Sequence, residues 1–180
     1  VGSEMCIRDR YGSQGLSPEN LYAWSKFSAE KIVLERGGVA LRYFNVYGPG
    51  EEHKGNMASI FYQAYIKSKS QEYFYLFPGK PKRDFVYIDD VVEANLHSLN
   101  IFDRISGSVF DVGTCSARMF EEGLDYLQIR YKYHSEGHIP KGYQMLTCAN
   151  SEKLLPGWLP KYDLKTGIGK YKDYLNLIIL

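Results

Sequence analysis

In Tyr22-Ala-Trp-Ser-Lys26 a phenol and an ammonium stand four residues apart, on one face of a helix. A lysine so placed favours the phenolate and makes Tyr22 a usable acid or base near neutral pH. The spacing alone is unspecific: with 16 tyrosines a chance pair is expected, and Tyr65 with Lys69 supplies one that reads as a solvated helix face. Context separates the first pair, which sits just inside a capped helix and is followed at once by a Gly-ended strand. A second candidate is Asn45, near the carboxyl end of that strand and so beside the crevice where α/β sheets bind ligands; pairing with nearby backbone is the alternative. Arg83, ahead of an apolar strand, suits bidentate phosphate binding or a surface ion pair with Asp84. Lys54 lies in a charged loop, Glu51 to Asn56, of the kind that is ordinarily solvated. Asp90 with Glu93 has capping-box spacing, and His134 and His138 read as surface residues.

The elements that would position these groups alternate. Ser17-Pro18-Glu19-Asn20 opens a helix through Leu21, Trp24, Ala29, Ile32 and Val33, closed by Gly37-Gly38. Val39 to Tyr47 reads as one strand, stopped by Gly48-Pro49-Gly50. A second helix is expected from about Met57 to Lys67, short strands at 72–77 and 85–88, and a turn at Pro78-Gly79-Lys80-Pro81. A helix follows Asp90, then a strand at 108–112, a helix near 119–131 and a terminal helix from about Leu164. This alternation predicts an α/β fold. No G-x-G-x-x-G follows a strand anywhere, so the pyrophosphate-cradling turn of a dinucleotide fold is absent from these 180 residues.

Composition excludes several classes. A net charge of +1 gives no reason to expect nucleic acid or an anionic membrane surface as partner. Cys6, Cys115 and Cys148 are too widely and irregularly spaced for a disulfide framework or a metal set, and a reducing compartment, the cytoplasm, fits them. No apolar run has the length of a membrane span. The 16 tyrosines fit either the lining of a polar ligand site or a Tyr-rich core. The first ten residues, Val1 to Arg10, read codon for codon as a transposon sequencing adapter translated in frame, so they are expected to have no place in the fold.

Taken in order, Tyr22-x-x-x-Lys26, Arg42-Tyr-Phe-Asn-Val-Tyr-Gly-Pro49 and Arg83-Asp-Phe-Val-Tyr-x-x-Asp-Val91 resemble the extended short-chain dehydrogenase/reductases that act on nucleotide sugars. Within that family, Tyr47-Gly-Pro-Gly-Glu-Glu-His-Lys-Gly-Asn-Met-Ala-Ser59 is similar to the loop of the ADP-glycero-manno-heptose 6-epimerase branch, and His-Lys-Gly-x-Met-Ala-Ser is the specific part. The likeness is close from Tyr11 to about Val112 and loose beyond. It implies the C-terminal part of a Rossmann-type doubly wound parallel sheet with a smaller substrate-binding subdomain. Residues 11–50 would complete the NADP-binding domain, and 51–180 would be mainly substrate-binding, with 84–113 returning to the sheet.

The resemblance also implies roles. Tyr22 and Lys54 would be the two catalytic acid/base groups. Lys26, Val46 and Lys54 would meet NADP (or NAD), and Asn45, Asn56, Gln63, Arg83 and Tyr143 the substrate. Phe77, Pro78, Gly79 and Lys80 would lie beside its nucleotide. Asn56, Gln63, Glu52 and Cys115 depart from the family's usual Ser, His, Gly and Gly. The implied activity is epimerisation at C6 of the heptose for lipopolysaccharide precursors, by a homo-oligomer when full length. The His53-Lys54-Gly55 run argues against a sister 4-epimerase or 4,6-dehydratase. Tyr22, Lys26 and Lys54 together argue against a non-catalytic relative. Without the glycine-rich turn, the chain by itself is expected to be inactive and to expose an apolar edge along Val39 to Val46.

Overall fold

In a computed structural model the described residues are 21–135 and 143–179, without the side chains of Tyr22 and Ala23. The expected helix start at Ser17-Pro18, the first ten residues and His138 lie outside them. Helix α1, Leu21–Glu35, ends where Gly37 takes a left-handed φ of 71°. That turn lets Gly38 N–H reach back to the Val33 carbonyl at 2.8 Å, a conformation only glycine adopts cheaply. A fork of Arg42 on Glu30 (2.8 and 2.7 Å) holds α1 to the strand that follows.

The expected single strand over 39–47 is two. β1, Ala40–Tyr43, pairs in parallel with β5, Val109–Val112, whereas β2, Asn45–Tyr47, pairs in parallel with β4, Lys82–Tyr87. The break is Phe44, buried at the crossing, whose N–H still donates to Val112 O at 3.0 Å. Periodicity cannot reveal it, because both halves are equally strand-like. β4 also pairs antiparallel with β6, Ala117–Met119, and β3, Phe74–Leu76, pairs in parallel with β7, Tyr131–Tyr133. Among the described residues β1 has β5 as its one strand neighbour, while Leu21, Trp24, Ile32 and Val33 of α1 face solvent.

A 3-10 turn, Glu52–Met57, leads into α2, Ile60–Ser68, where Ser59 Oγ accepts the Tyr62 N–H. Helix α3, Ile88–Asn100, begins two residues before the expected cap, and the capping box of Asp90 with Glu93 is not formed. Asp90 instead turns its buried carboxylate onto the N–H groups of Lys161 and Tyr162 (2.8 and 3.1 Å), and Glu93 pairs at the surface with Lys161 Nζ (3.1 Å). A short α4, Phe102–Ile105, precedes β5. α5, Phe120–Leu127, is shorter than the expected 119–131 because Gln128 is left-handed (φ 62°) and the aromatic run after it joins β3. α6, Leu164–Ile178, is capped by Asp163, which accepts the Thr166 N–H at 2.8 Å.

Two apolar clusters support this frame. The larger is aromatic: Tyr47, Phe61, Tyr65, Phe85, Tyr87, Phe120 and Tyr171 are all buried in it, with Tyr47 edge-on to Phe61 at 5.2 Å. Much of the tyrosine excess is therefore core. Tyr65 belongs to it, against the expectation of a solvated face: its hydroxyl donates to Asn176 Oδ1 and accepts from Lys69 Nζ at 3.2 Å. The smaller cluster gathers Val86, Val91, Ala94, Val112, Leu155 and Trp158 between α3 and β5.

Candidate functional site

The carboxyl end of β1, the start of β2, the 51–59 loop, one face of α2 and strand β3 enclose a cavity of about 620 Å³. That is within the size range of small-molecule and cofactor sites. Tyr43, Phe44, Asn45 and Val46 supply its strand-end wall, the place where open α/β sheets receive ligands. Lys54 enters from the loop. Ile60, Gln63 and Lys67 enter from α2, where spacings of three and four put them on one face. Phe77, Arg83, Phe120 and Tyr143 close the far end.

Arg83 is fully buried, which rules out the surface pair with Asp84. Its guanidinium donates to the carbonyls of Lys82 (2.9 Å) and Gln144 (2.7 Å), and lies over the rings of Tyr143 (5.1 Å) and Phe120 (5.6 Å). Asp84 has a different task. Its carboxylate accepts the N–H groups of Thr114, Cys115 and Ala149 at 2.8–2.9 Å, tying three chain segments together. Burial raises the Tyr143 phenol above its ordinary pKa, with the Arg83 charge opposing, so it remains a neutral donor. Its ring meets Phe77 at 5.3 Å. His134, expected at the surface, is half-buried against Tyr75 (5.2 Å) and Phe77 (5.9 Å) at this edge of the cavity.

Of the residues singled out from the sequence, Asn45, Val46, Lys54, Gln63, Phe77, Arg83 and Tyr143 meet around this one cavity. Lys26 is exposed on α1, Asn56 is exposed in the loop, and Pro78, Gly79 and Lys80 form the turn beyond Phe77; none of these five is among the described lining residues. The Tyr22 side chain lies outside the described residues. Gln63 is largely committed to the loop itself, since its Nε2 donates to the carbonyls of Asn56 (3.1 Å) and Ala58 (2.8 Å). Sequence reasoning missed Lys67 and Ser59. The first was legible as the i+4 neighbour of Gln63, and the second closes the His-Lys-Gly-x-Met-Ala-Ser run without having been given a role of its own. Three cations, Lys54, Lys67 and Arg83, face one carboxylate, Glu51, in the lining, and this charge balance suits a phosphorylated ligand with an aromatic or sugar moiety.

Residues 4–113 match the NAD dependent epimerase/dehydratase family. The chain is similar to the ADP-L-glycero-D-manno-heptose-6-epimerase of Brachyspira hyodysenteriae, at 35% identity over 88% of this chain and 55% of the relative. It is also similar to the crystal structure of the Helicobacter pylori ADP-L-glycero-D-manno-heptose-6-epimerase, with 32% identity, a TM-score of 0.77, and coverage of 94% of this chain and 55% of that one. The structure of a UDP-glucose 4-epimerase from Thermotoga maritima, crystallised with UDP-glucose, shares 26% identity and a TM-score of 0.72 over 92% of this chain and 56% of that one. The chain thus spans about half the length of these relatives. Among the described residues no helix is long and apolar enough to cross a membrane.

Proposed function

This chain belongs to the NAD dependent epimerase/dehydratase family, and on that premise we propose that the full-length protein is an ADP-glycero-manno-heptose 6-epimerase. It inverts C6 of the heptose in making lipopolysaccharide precursors, as a cytoplasmic homo-oligomer. The observation that carries this reading is Lys54, the lysine of the His-Lys-Gly run, lining the same cavity as Arg83, Tyr143 and the β1–β2 wall.

The residues present fit the nicotinamide end of NADP, because Asn45 and Val46 open the cavity at strand ends; the phosphate-cradling glycines are not in this sequence. When bound, NADP supplies the hydride acceptor and donor for C6. Tyr22 moves the proton of the C6 hydroxyl in one orientation of the sugar, and Lys54 moves it in the other. Inversion needs both, since the carbonyl form must present each of its faces once. Lys26 tunes Tyr22 through its charge, and Arg83 with Tyr143 holds the nucleotide end.

The test is to make Tyr22→Phe and Lys54→Met singly in the full-length protein. Each keeps most of the side-chain volume but removes the transferable proton. Each is expected to slow epimerisation of ADP-heptose by a factor of roughly a hundred or more, with nucleotide-sugar binding retained. Epimerisation by Lys54→Met at nearly the wild-type rate would remove the heptose reading and leave a nucleotide-sugar epimerase of unspecified substrate.

A further inference from the structure

The loop that carries Lys54 is closed at both ends by a single residue. The Glu51 carbonyl accepts the Lys54 N–H at 3.0 Å. The Glu51 carboxylate accepts Ser59 N–H on Oε2 at 2.6 Å, and Ser59 Oγ and the Tyr171 hydroxyl on Oε1, each at 2.6 Å. Only 3% of Glu51 is exposed, a burial that glutamates reach almost solely when fully partnered. Gly55 stands inside the loop with φ 52° and ψ −121°, a backbone conformation open to glycine, and a Cβ there would meet nothing. Its glycine therefore serves the turn after Lys54 and not any close contact.

The brace comes from outside the cavity. Tyr171 and Tyr174 stand one turn apart on α6 and do not line the site. Tyr174 donates to Glu52 at 2.6 Å, so two hydroxyls of one helix hold two consecutive glutamates. Burial, and then the carboxylate it serves, raises the Tyr171 phenol well above its ordinary pKa, so it stays a donor throughout the working range. A run such as Glu-Glu-His-Lys-Gly-Asn-Met would be loose if solvated on all sides; here its first residue fastens it to α2 and to α6.

We propose that Glu51 is a positioning residue, whose clamp on Ser59 and Tyr171 holds the 52–58 loop so that Lys54 meets its substrate at a fixed place. This rests on the reading of Lys54 as a proton-transfer group. A carboxamide can still accept the Ser59 N–H on its oxygen and donate to the two hydroxyls, but the three bonds then lose the carboxylate charge that strengthens them, so Glu51→Gln weakens the clamp without changing its volume. Tyr171→Phe removes one of the three bonds through a residue that does not itself line the cavity, and serves should Glu51→Gln fail to fold.

In the full-length protein we expect both variants to lower kcat, Glu51→Gln by about tenfold to a hundredfold, the scale of a small misplacement of a reacting group, and Tyr171→Phe by less. KM for ADP-heptose should stay within about twofold, since Arg83 and Tyr143 are untouched. Amide exchange should speed up in 52–59 and remain unchanged in β4. Unaltered exchange in 52–59, or faster exchange with an unaltered kcat while Lys54→Met is inactive, would overturn the proposal. If Lys54→Met is itself active, the functional reading beneath the proposal fails, and faster loop exchange in Glu51→Gln separates that failure from absence of the clamp.

Discussion

Gly167 and Gly169 stand two residues apart on α6, and replacing each with alanine should have opposite effects. Intrinsic helix propensity favours alanine over glycine by about 1 kcal/mol at either place. A Cβ on Gly169 would meet nothing within 4 Å, so that gain should be realised in full. A Cβ on Gly167 would lie 2.1 Å from the Tyr47 hydroxyl and 3.1 Å from its Cζ, far inside an ordinary contact of roughly 3.5 Å. Tyr47 cannot swing aside, because Phe61, Phe85, Tyr87 and Tyr171 box its ring at centroid distances of 5.2–6.4 Å. Overpacking costs about 1–3 kcal/mol, and a contact this short against a boxed ring belongs to the upper part of that range, above the propensity gain. Gly167→Ala should therefore lower the thermal midpoint by a few degrees, at roughly 2–4 °C per kcal/mol for a chain of this size, while Gly169→Ala should raise it by a similar step. Thermal unfolding followed by circular dichroism reads both. A stabilised Gly167→Ala would mean that α6 does not pack on the aromatic cluster as described.

Cys115 holds a left-handed φ of 56°. Cys115→Gly relieves about 1–2 kcal/mol of backbone strain against about 0.5–1 kcal/mol of added unfolded-state entropy, so a slightly raised unfolding midpoint is expected and a lowered one would count against the strained turn. The Tyr174 hydroxyl is the main cause holding the Glu52 carboxyl below its ordinary pKa. A depressed carboxyl contributes stability that is present above its unfolded pKa of about 4.3 and lost as pH falls through the folded value. Urea titrations should accordingly find Tyr174→Phe slightly less stable than wild type at pH 7, with the gap closing in acid. A gap that widens as pH falls would refute this pairing.

Local signals sufficed for much of the architecture. The Gly37-Gly38 stop, the strand-like run after it, the turn at Pro78-Gly79 and the terminal helix from Leu164 follow from propensity and backbone freedom within a few residues. The order of Tyr-x-x-x-Lys, the Asn45 strand and the Arg83-Asp-Phe-Val-Tyr strand was enough to indicate the family, since motif order is a property of the chain alone. Pairing partners were not legible. Phe44 divides one strand-like run between two partners because β5 pairs with the residues before it and β4 with those after it, a fact set by segments about 40 to 70 residues away. Asp90 looked like a cap because its spacing to Glu93 is local, yet two distant N–H groups at Lys161 and Tyr162 took its carboxylate. Lys54, in the same way, looked like a solvated lysine in a charged loop. It is indeed exposed, but the fold also makes it part of a cavity wall, because the nearby Glu51 is buried and held by Ser59 and by Tyr171, 120 residues further along the chain. Residue types and spacing thus determined which chemistry was available, and long-range burial decided which of those residues meet, because the hydrogen bonds a buried charge requires can come from any part of the chain that packs against it.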